Sequence, residues 1–379
     1  MTSPDIPMPT YVDSSTHLER MLEHLRQAPA LAIDTESNSL HAYQEQVCLI
    51  QISTREHDYL LDSLALEDLS ALGEIFADPE KQKVFHAGDY DLTCLKRDYA
   101  FEFCNVFDTM LAAAALGEES LGLAGLLEKY LNVRIDKKYQ RADWGKRPIK
   151  DEMLRYAQMD SHYLLALRDC LVPHLESLNR LRIVMEDSAA LASQTPAMKN
   201  HVEDLWRVKG TNGMKPTALS LLKQLNHLRE SLAKNQNLPP FKIMSDSALV
   251  DVANTQPHYI EELNLLPTLS AGQVRRYGKE LMRVVEQWRK EPGRVSRTRA
   301  QAPDEAVLRR RELLGDWRKE TGAAQGLPSN VILPRDLMEK IAQVPLKDLN
   351  ALELLMSSSP SRFEMYGETL FNLLKEEQE

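Results

Sequence analysis

What this chain lacks narrows its class before any motif is read. No apolar run approaches the roughly 20 residues that span a bilayer, so no membrane crossing is expected. The four cysteines, Cys48, Cys94, Cys104 and Cys170, lie far apart without zinc spacing, which leaves buried thiols in a reducing compartment. The first fifteen residues hold prolines and acids but no apolar core, so no secretory leader is expected. A basic surplus is missing too. The formal net charge is −10, and any contact with nucleic acid must come from local patches. What is present, 43% hydrophobic and 27% charged residues over 379 positions, describes a cytoplasmic protein of two or three domains.

The first 180 or so residues read as an α/β domain with a mixed sheet. Ser14 to Gln27 is an amphipathic helix with Leu18, Met21, Leu22 and Leu25 as its apolar stripe. Strand patterns follow at Leu31 to Glu36, Val47 to Ser53 and Tyr59 to Asp62, with short links that suit antiparallel neighbours. Leu66 to Phe76 is helical in period, Lys83 to His86 and Val106 to Asp108 are strands, and Asp89 to Tyr99, Thr109 to Leu116 and Ser120 to Tyr130 are helices. A polar loop, Asp136 to Pro148, leads into one long helix from about Lys150 to Leu171.

Beyond about Met198 the strand signals stop and an internal repeat begins. Leu238-Pro239 returns as Leu327-Pro328, Ile243 as Ile332, Leu263 as Leu352, Tyr277-Gly278 as Tyr366-Gly367 and Leu281 as Leu370. All share one offset of 89 (327 − 238, 366 − 277). Two all-helical copies are expected, over 201–292 and 304–379, joined by a linker over 293–303 that carries Arg294, Arg297 and Arg299.

The chemistry-bearing stretch is Leu31-Ala-Ile-Asp34-Thr-Glu36. On a strand the two acids share a face, tolerable in water or around a cation. His86-Ala-Gly88-Asp-Tyr-Asp91 adds a strand end, a tight turn and acids in the first helical turn, where Asp89 suits an N-cap and Asp91 is free to face the sheet. Tyr156 and Asp160, four apart, project together from one helix face. Four converging carboxylates repel strongly, and two hard divalent cations held by oxygen relieve that repulsion. Such a pair drives in-line attack on phosphodiesters.

These motifs resemble the tyrosine-bearing branch of the DEDD exonuclease superfamily: Asp34-Thr-Glu36, His86 to Asp91, and Tyr156-x-x-x-Asp160 preceded by Gln140 to Pro148. Family spacing selects Asp91 over Asp89. The helical copies resemble paired HRDC domains, and the order of parts is similar to the ribonuclease D family. The resemblance implies a ribonuclease H-like fold and hydrolysis of RNA from its 3' end to nucleoside 5'-monophosphates. It implies two Mg2+ or Mn2+ ions on Asp34, Glu36, Asp91 and Asp160, with Tyr156 acting on the attacking water. Precursors of transfer RNA are the family's usual substrates, and the chain is expected to be a monomer. On β-strand alternation the Thr35 side chain points away from the acids, leaving its backbone to touch the terminal nucleotide. Lys138, Arg141, Trp144 and Arg147 combine basic and aromatic groups as a candidate RNA channel, and Arg309-Arg310-Arg311 form a second basic stripe. Two other readings are a 3'-5' DNA exonuclease and a silent nucleic-acid scaffold, the latter requiring a missing acid.

Overall fold

A computed structural model describes residues 6–196, 205–296 and 304–375. They fall into two compact units. One comprises Met1–Ser37, Val47–Pro196 and Ala302–Glu379, the other Asn38–Gln46 and Ala197–Gln301.

The first unit is built on a six-stranded mixed sheet in the order β1-β4-β3-β2-β5-β6. The strands are β1 (Thr10–Val12), β2 (Ala30–Ser37), β3 (Val47–Ser53), β4 (Asp58–Leu61), β5 (Gln82–Phe85) and β6 (Val106–Asp108). The pairs β2–β3 and β3–β4 are antiparallel as expected, and β2–β5, β5–β6 and β1–β4 are parallel. The short edge strand β1 escaped the sequence reading because three residues are too few to show a period.

Helices α1 (Ser15–Gln27), α2 (Ser70–Ala77), α3 (Asp89–Tyr99), α4 (Thr109–Leu116), α5 (Leu123–Leu131), α6 (Asp151–His162), α7 (Leu164–Ser177) and α8 (Leu181–Ser193) complete the α/β part. Alternation along β2 splits the core in two. Leu31 and Ile33 join the apolar residues of α1, α2 and α3, whereas Ala30 and Ala32 join those of α4, α5 and α7. A sheet covered on both faces needs apolar residues at every position, which is why β2 reads as a continuous apolar run until Asp34.

The single long helix expected from Lys150 to Leu171 is two helices with a break at Tyr163. The break lets Ala157, Gln158 and Ser161 of α6 stay buried while Leu164, Leu167 and Leu171 of α7 enter the other core. No Gly or Pro marks it, so no stop signal is visible there.

The second unit holds α9 (Pro216–Gln236), α10 (Pro240–Ile243), α11 (Asp246–Thr255), α12 (Ile260–Leu263) and α13 (Ala271–Lys290). The β2–β3 connection, Asn38–Gln46, belongs to it: Tyr43 packs on this core and its backbone N–H donates to Asn237 Oδ1 at 3.2 Å.

The repeat recurs in the first unit as α14 (Glu305–Gln325), α15 (Ser329–Ile332), α16 (Arg335–Gln343), α17 (Leu349–Leu355) and α18 (Pro360–Lys375). Every helix starts 89 positions after its counterpart, from Pro216 and Glu305 to Ala271 and Pro360. Asn237 and Gly326, at the same offset, end the long helices in the left-handed conformation at φ 47° and 64°.

The second copy shares a core with the α/β part through Leu327, Val331 and Ile332. Arg362 is fully buried there and grips both oxygens of Asp187 at 2.7 and 2.8 Å. Arg310 is also buried, donating to the Ala342 carbonyl at 2.8 Å, and Arg311 pairs with Glu339. The expected basic stripe is therefore largely structural. Of the linker arginines, Arg297 and Arg299 lie outside the described residues.

Candidate active site

Strand β5 pairs with β2 only over Ala30–Ala32, so the end of β2 that carries Asp34 and Glu36 runs past its neighbour. The chain leaves β5 through His86-Ala87-Gly88 and starts α3 beside that end. Ala87, not the glycine, takes the left-handed conformation, at φ 56°. Gly88 is required for another reason: a Cβ there would lie 2.7 Å from the Phe85 Cβ. The buried Asp108 carboxylate fixes the turn by accepting the backbone N–H groups of Ala87 (3.2 Å) and Gly88 (2.8 Å) while capping α4 through Met110 and Leu111. His86 lies under the turn, with Nδ1 2.9 Å from the Thr109 hydroxyl, and burial lowers its pKa.

Gly88 occupies the N-cap, so Asp89 is the first helical residue and is exposed; the expected capping role is not seen. Asp91 is 7% exposed and accepts the Thr35 hydroxyl. Thr35 does face away from Asp34 and Glu36, but α3 approaches from that same face. Its hydroxyl thus reaches the Asp91 carboxylate from the face opposite Asp34 and Glu36.

From the other face α6 packs on β2, β3 and β4 and delivers Tyr156 and Asp160. The phenol ring is held between two aromatics, Trp144 at 6.1 Å and Tyr139 at 5.9 Å between centroids.

These groups feel one another's charge. Asp34 is pushed well above the usual carboxylate range by desolvation, then by the charges of Asp91, Asp160 and Glu36. Glu36 is raised well above its usual value by desolvation and by Asp160 and Asp91. Desolvation dominates for Asp91, raised to about 6 despite the Thr35 hydrogen bond, and for Asp160, raised to about 7 with help from Asp91. Burial and then Asp160, Glu36 and Asp34 drive the Tyr156 phenol upward.

Among the described residues, no three His, Cys, Asp or Glu side chains close tightly enough to hold an ion as they stand. The donor set still fits hard divalent cations: it is all oxygen, it is over-charged, and each acid is destabilised by its neighbours.

The candidate substrate residues divide. Lys138 and Arg141 are exposed on the loop, with Lys138 Nζ 3.8 Å from Glu152. Trp144 is 1% exposed, in a core with Leu49, Leu60 and Ala157, and cannot stack on a base. Arg147 is likewise committed to the protein: it donates to both Asp62 oxygens at 2.6 and 2.7 Å and to the carbonyls of Cys48 and Trp144. Sequence reasoning counted both as RNA contacts because a basic-aromatic loop looks the same whether its side chains face in or out.

Two family profiles match the chain, one described as 3'-5' exonuclease over residues 9–176, the other as HRDC domain over residues 218–285 and 307–374. The exosome complex exonuclease RRP6 of Saccharomyces cerevisiae is 35% identical over 269 residues, which are 67% of this chain and 37% of that protein. The chain thus spans little more than a third of that relative's length. The ribonuclease D of Gluconacetobacter diazotrophicus is 30% identical over 268 residues, 70% of this chain and 68% of its own. The crystal structure of Escherichia coli RNase D superposes with a TM-score of 0.69, covering 97% of this chain and 99% of that one at 24% identity, which bears on the fold.

Proposed function

The chain belongs to the ribonuclease D family of 3'-5' exonucleases, and we propose that it hydrolyses RNA from a free 3' end, releasing nucleoside 5'-monophosphates. The observation that carries this is the convergence of Asp34, Glu36, Asp91 and Asp160, each raising or raised by the others' charge, with the Tyr156 phenol among them. Asp34, Glu36, Asp91 and Asp160 are the residues to hold two divalent cations, Mg2+ or Mn2+. Such ions, when bound, ionise the attacking water and stabilise the leaving oxygen.

The chain's own residues then have separable tasks. Asp34, whose carboxylate is raised by all three other acids, would be a ligand of the bound ions. Thr35 fixes Asp91 by its hydroxyl. Tyr156, locked between Trp144 and Tyr139, offers its hydroxyl to the attacking water and orients it. Lys138 and Arg141 remain as phosphate contacts on an exposed loop.

The α/β domain over 1–180 carries the chemistry, and the two helical domains occupy 201–292 and 304–379. Transfer RNA precursors and other structured RNAs are the expected substrates of a monomer in the cytoplasm. Labelled RNA and DNA of one sequence, incubated side by side with Mg2+, Mn2+ or chelator, test the reading. Stepwise shortening of RNA from its 3' end, stopped by chelator, is expected. Resistance of RNA in every metal overturns it, and equal attack on DNA removes the RNA assignment.

A further inference from the structure

Gln51 sits directly opposite Asp34 in the antiparallel β2–β3 pair. Cross-strand partners share a face, with Cβ atoms about 4.5–5.5 Å apart, so the amide lies on the Asp34 side of the sheet. Gln51 is 0% exposed, and among the described residues neither its amide nitrogen nor its oxygen has a hydrogen-bond partner. Buried amides are nearly always paired, so one empty at both ends beside a reactive acid calls for a partner.

The polar groups further along the same face are engaged mainly with one another. Ser53 and Ser161 hydroxyls are 2.8 Å apart, and Asp58 takes Gln158 and His162 at 2.7 Å each. Among the described residues one oxygen each of Asp58 and Gln158 is unpartnered as well, but they belong to that His162 group, beyond Gln51 along the β3–β4 pair.

We propose that Gln51 is a positioning residue for Asp34, donating its amide N–H to that carboxylate and aiming it at the divalent cations of the proposed site, a role that rests on the metal-dependent reading above. A neutral donor suits the place. It steadies the charged form of Asp34 and adds no fifth negative charge to a cluster already strained by four. Groups hydrogen-bonded to a metal's ligands typically change affinity by about 10–100-fold when removed.

The test compares the full-length wild type with Gln51→Met, which keeps the volume and discards the amide, and Gln51→Asn, which keeps an amide too short to reach. Mn2+ is titrated calorimetrically without RNA, and the melting temperature is taken in chelator. The expected result is Mn2+ affinity about 10–100-fold weaker in both variants, with melting of the metal-free protein unchanged or higher for Gln51→Met. RNA hydrolysis should recover as Mn2+ is raised. Variants that bind Mn2+ like the wild type overturn the role and leave Gln51 as an amide satisfied by buried water. Gln51→Asn decides alone if Gln51→Met does not fold. A wild type that binds no Mn2+ sinks the metal reading itself, and the Gln51 role with it.

Discussion

The Thr35 hydroxyl donates to the Asp91 carboxylate, tying an acid on α3 to the strand that presents Asp34 and Glu36. The bond spans 56 positions of sequence. It lies on the α3 face of the sheet, opposite Asp34 and Glu36, at the end where β2 outruns β5. Thr35→Val keeps the shape and removes the donor. A hydrogen bond to a charged group contributes about 1.5–3 kcal/mol, so divalent-ion affinity or turnover should drop roughly 10- to 100-fold. Thr35→Ser should retain most of both. Equal Mn2+ titrations for wild type and valine variant would remove Thr35 from the site.

Asp34→Asn and Asp160→Asn should each lower hydrolysis by about three orders of magnitude or more, since several kcal/mol of charge stabilisation disappears. Folding should survive, because each change removes a repelled charge. Single-turnover release of 5'-monophosphate and circular dichroism check both halves. Full activity in either variant contradicts the metal assignment.

Tyr156→Phe should slow turnover about 100-fold and leave Mn2+ affinity close to wild type, because only the hydroxyl goes and the ring still fits between Trp144 and Tyr139. An unchanged rate constant at saturating metal would take the water-orienting task from Tyr156.

Metal-free stability should fall as pH rises. Asp91 and Asp160 keep their protons to about 6 and about 7 in the fold, whereas an unfolded Asp releases its proton near 4. Between those values the native state binds more protons than the unfolded one. The raised acids therefore favour the fold fully below about pH 4, and this contribution is lost as pH climbs through 7. Melting curves in chelator from pH 4.5 to 8 should show the decline, and Mn2+ should raise the melting point more at pH 8 than at pH 5. A metal-free melting point that climbs over that range would contradict the clustering.

Arg362→Ala should destabilise the protein by about 3 kcal/mol, removing a fully buried guanidinium and leaving the half-buried Asp187 without its partner. Arg362→Met with Asp187→Leu should recover much of it. Urea denaturation reads the difference. Gln273, the repeat counterpart of Arg362, instead completes a capping box with Ser270, so one position serves two ends in the two copies.

Much of this was legible in residue order. Local signals act over a few positions, so α1, β3, β6 and α4 could be read nearly to their ends, and the 89-residue repeat foretold matching helix starts. Strand alternation and helix spacing made Asp34 with Glu36, and Tyr156 with Asp160, readable as side chains that travel together, whereas Asp91 rested on the resemblance. The direction a loop residue faces is not local. Trp144 and Arg147 turn inward because β3 and β4 offer an apolar seat and Asp62 a carboxylate. Thr35 joins the cluster because α3 comes to its face, and Gln51 stands beside Asp34 because the β2–β3 register puts it there. Sequence determined which groups the chain owns and how they ride on each element. Packing between distant elements decided which of them meet, since that contact energy exists only once the sheet has closed.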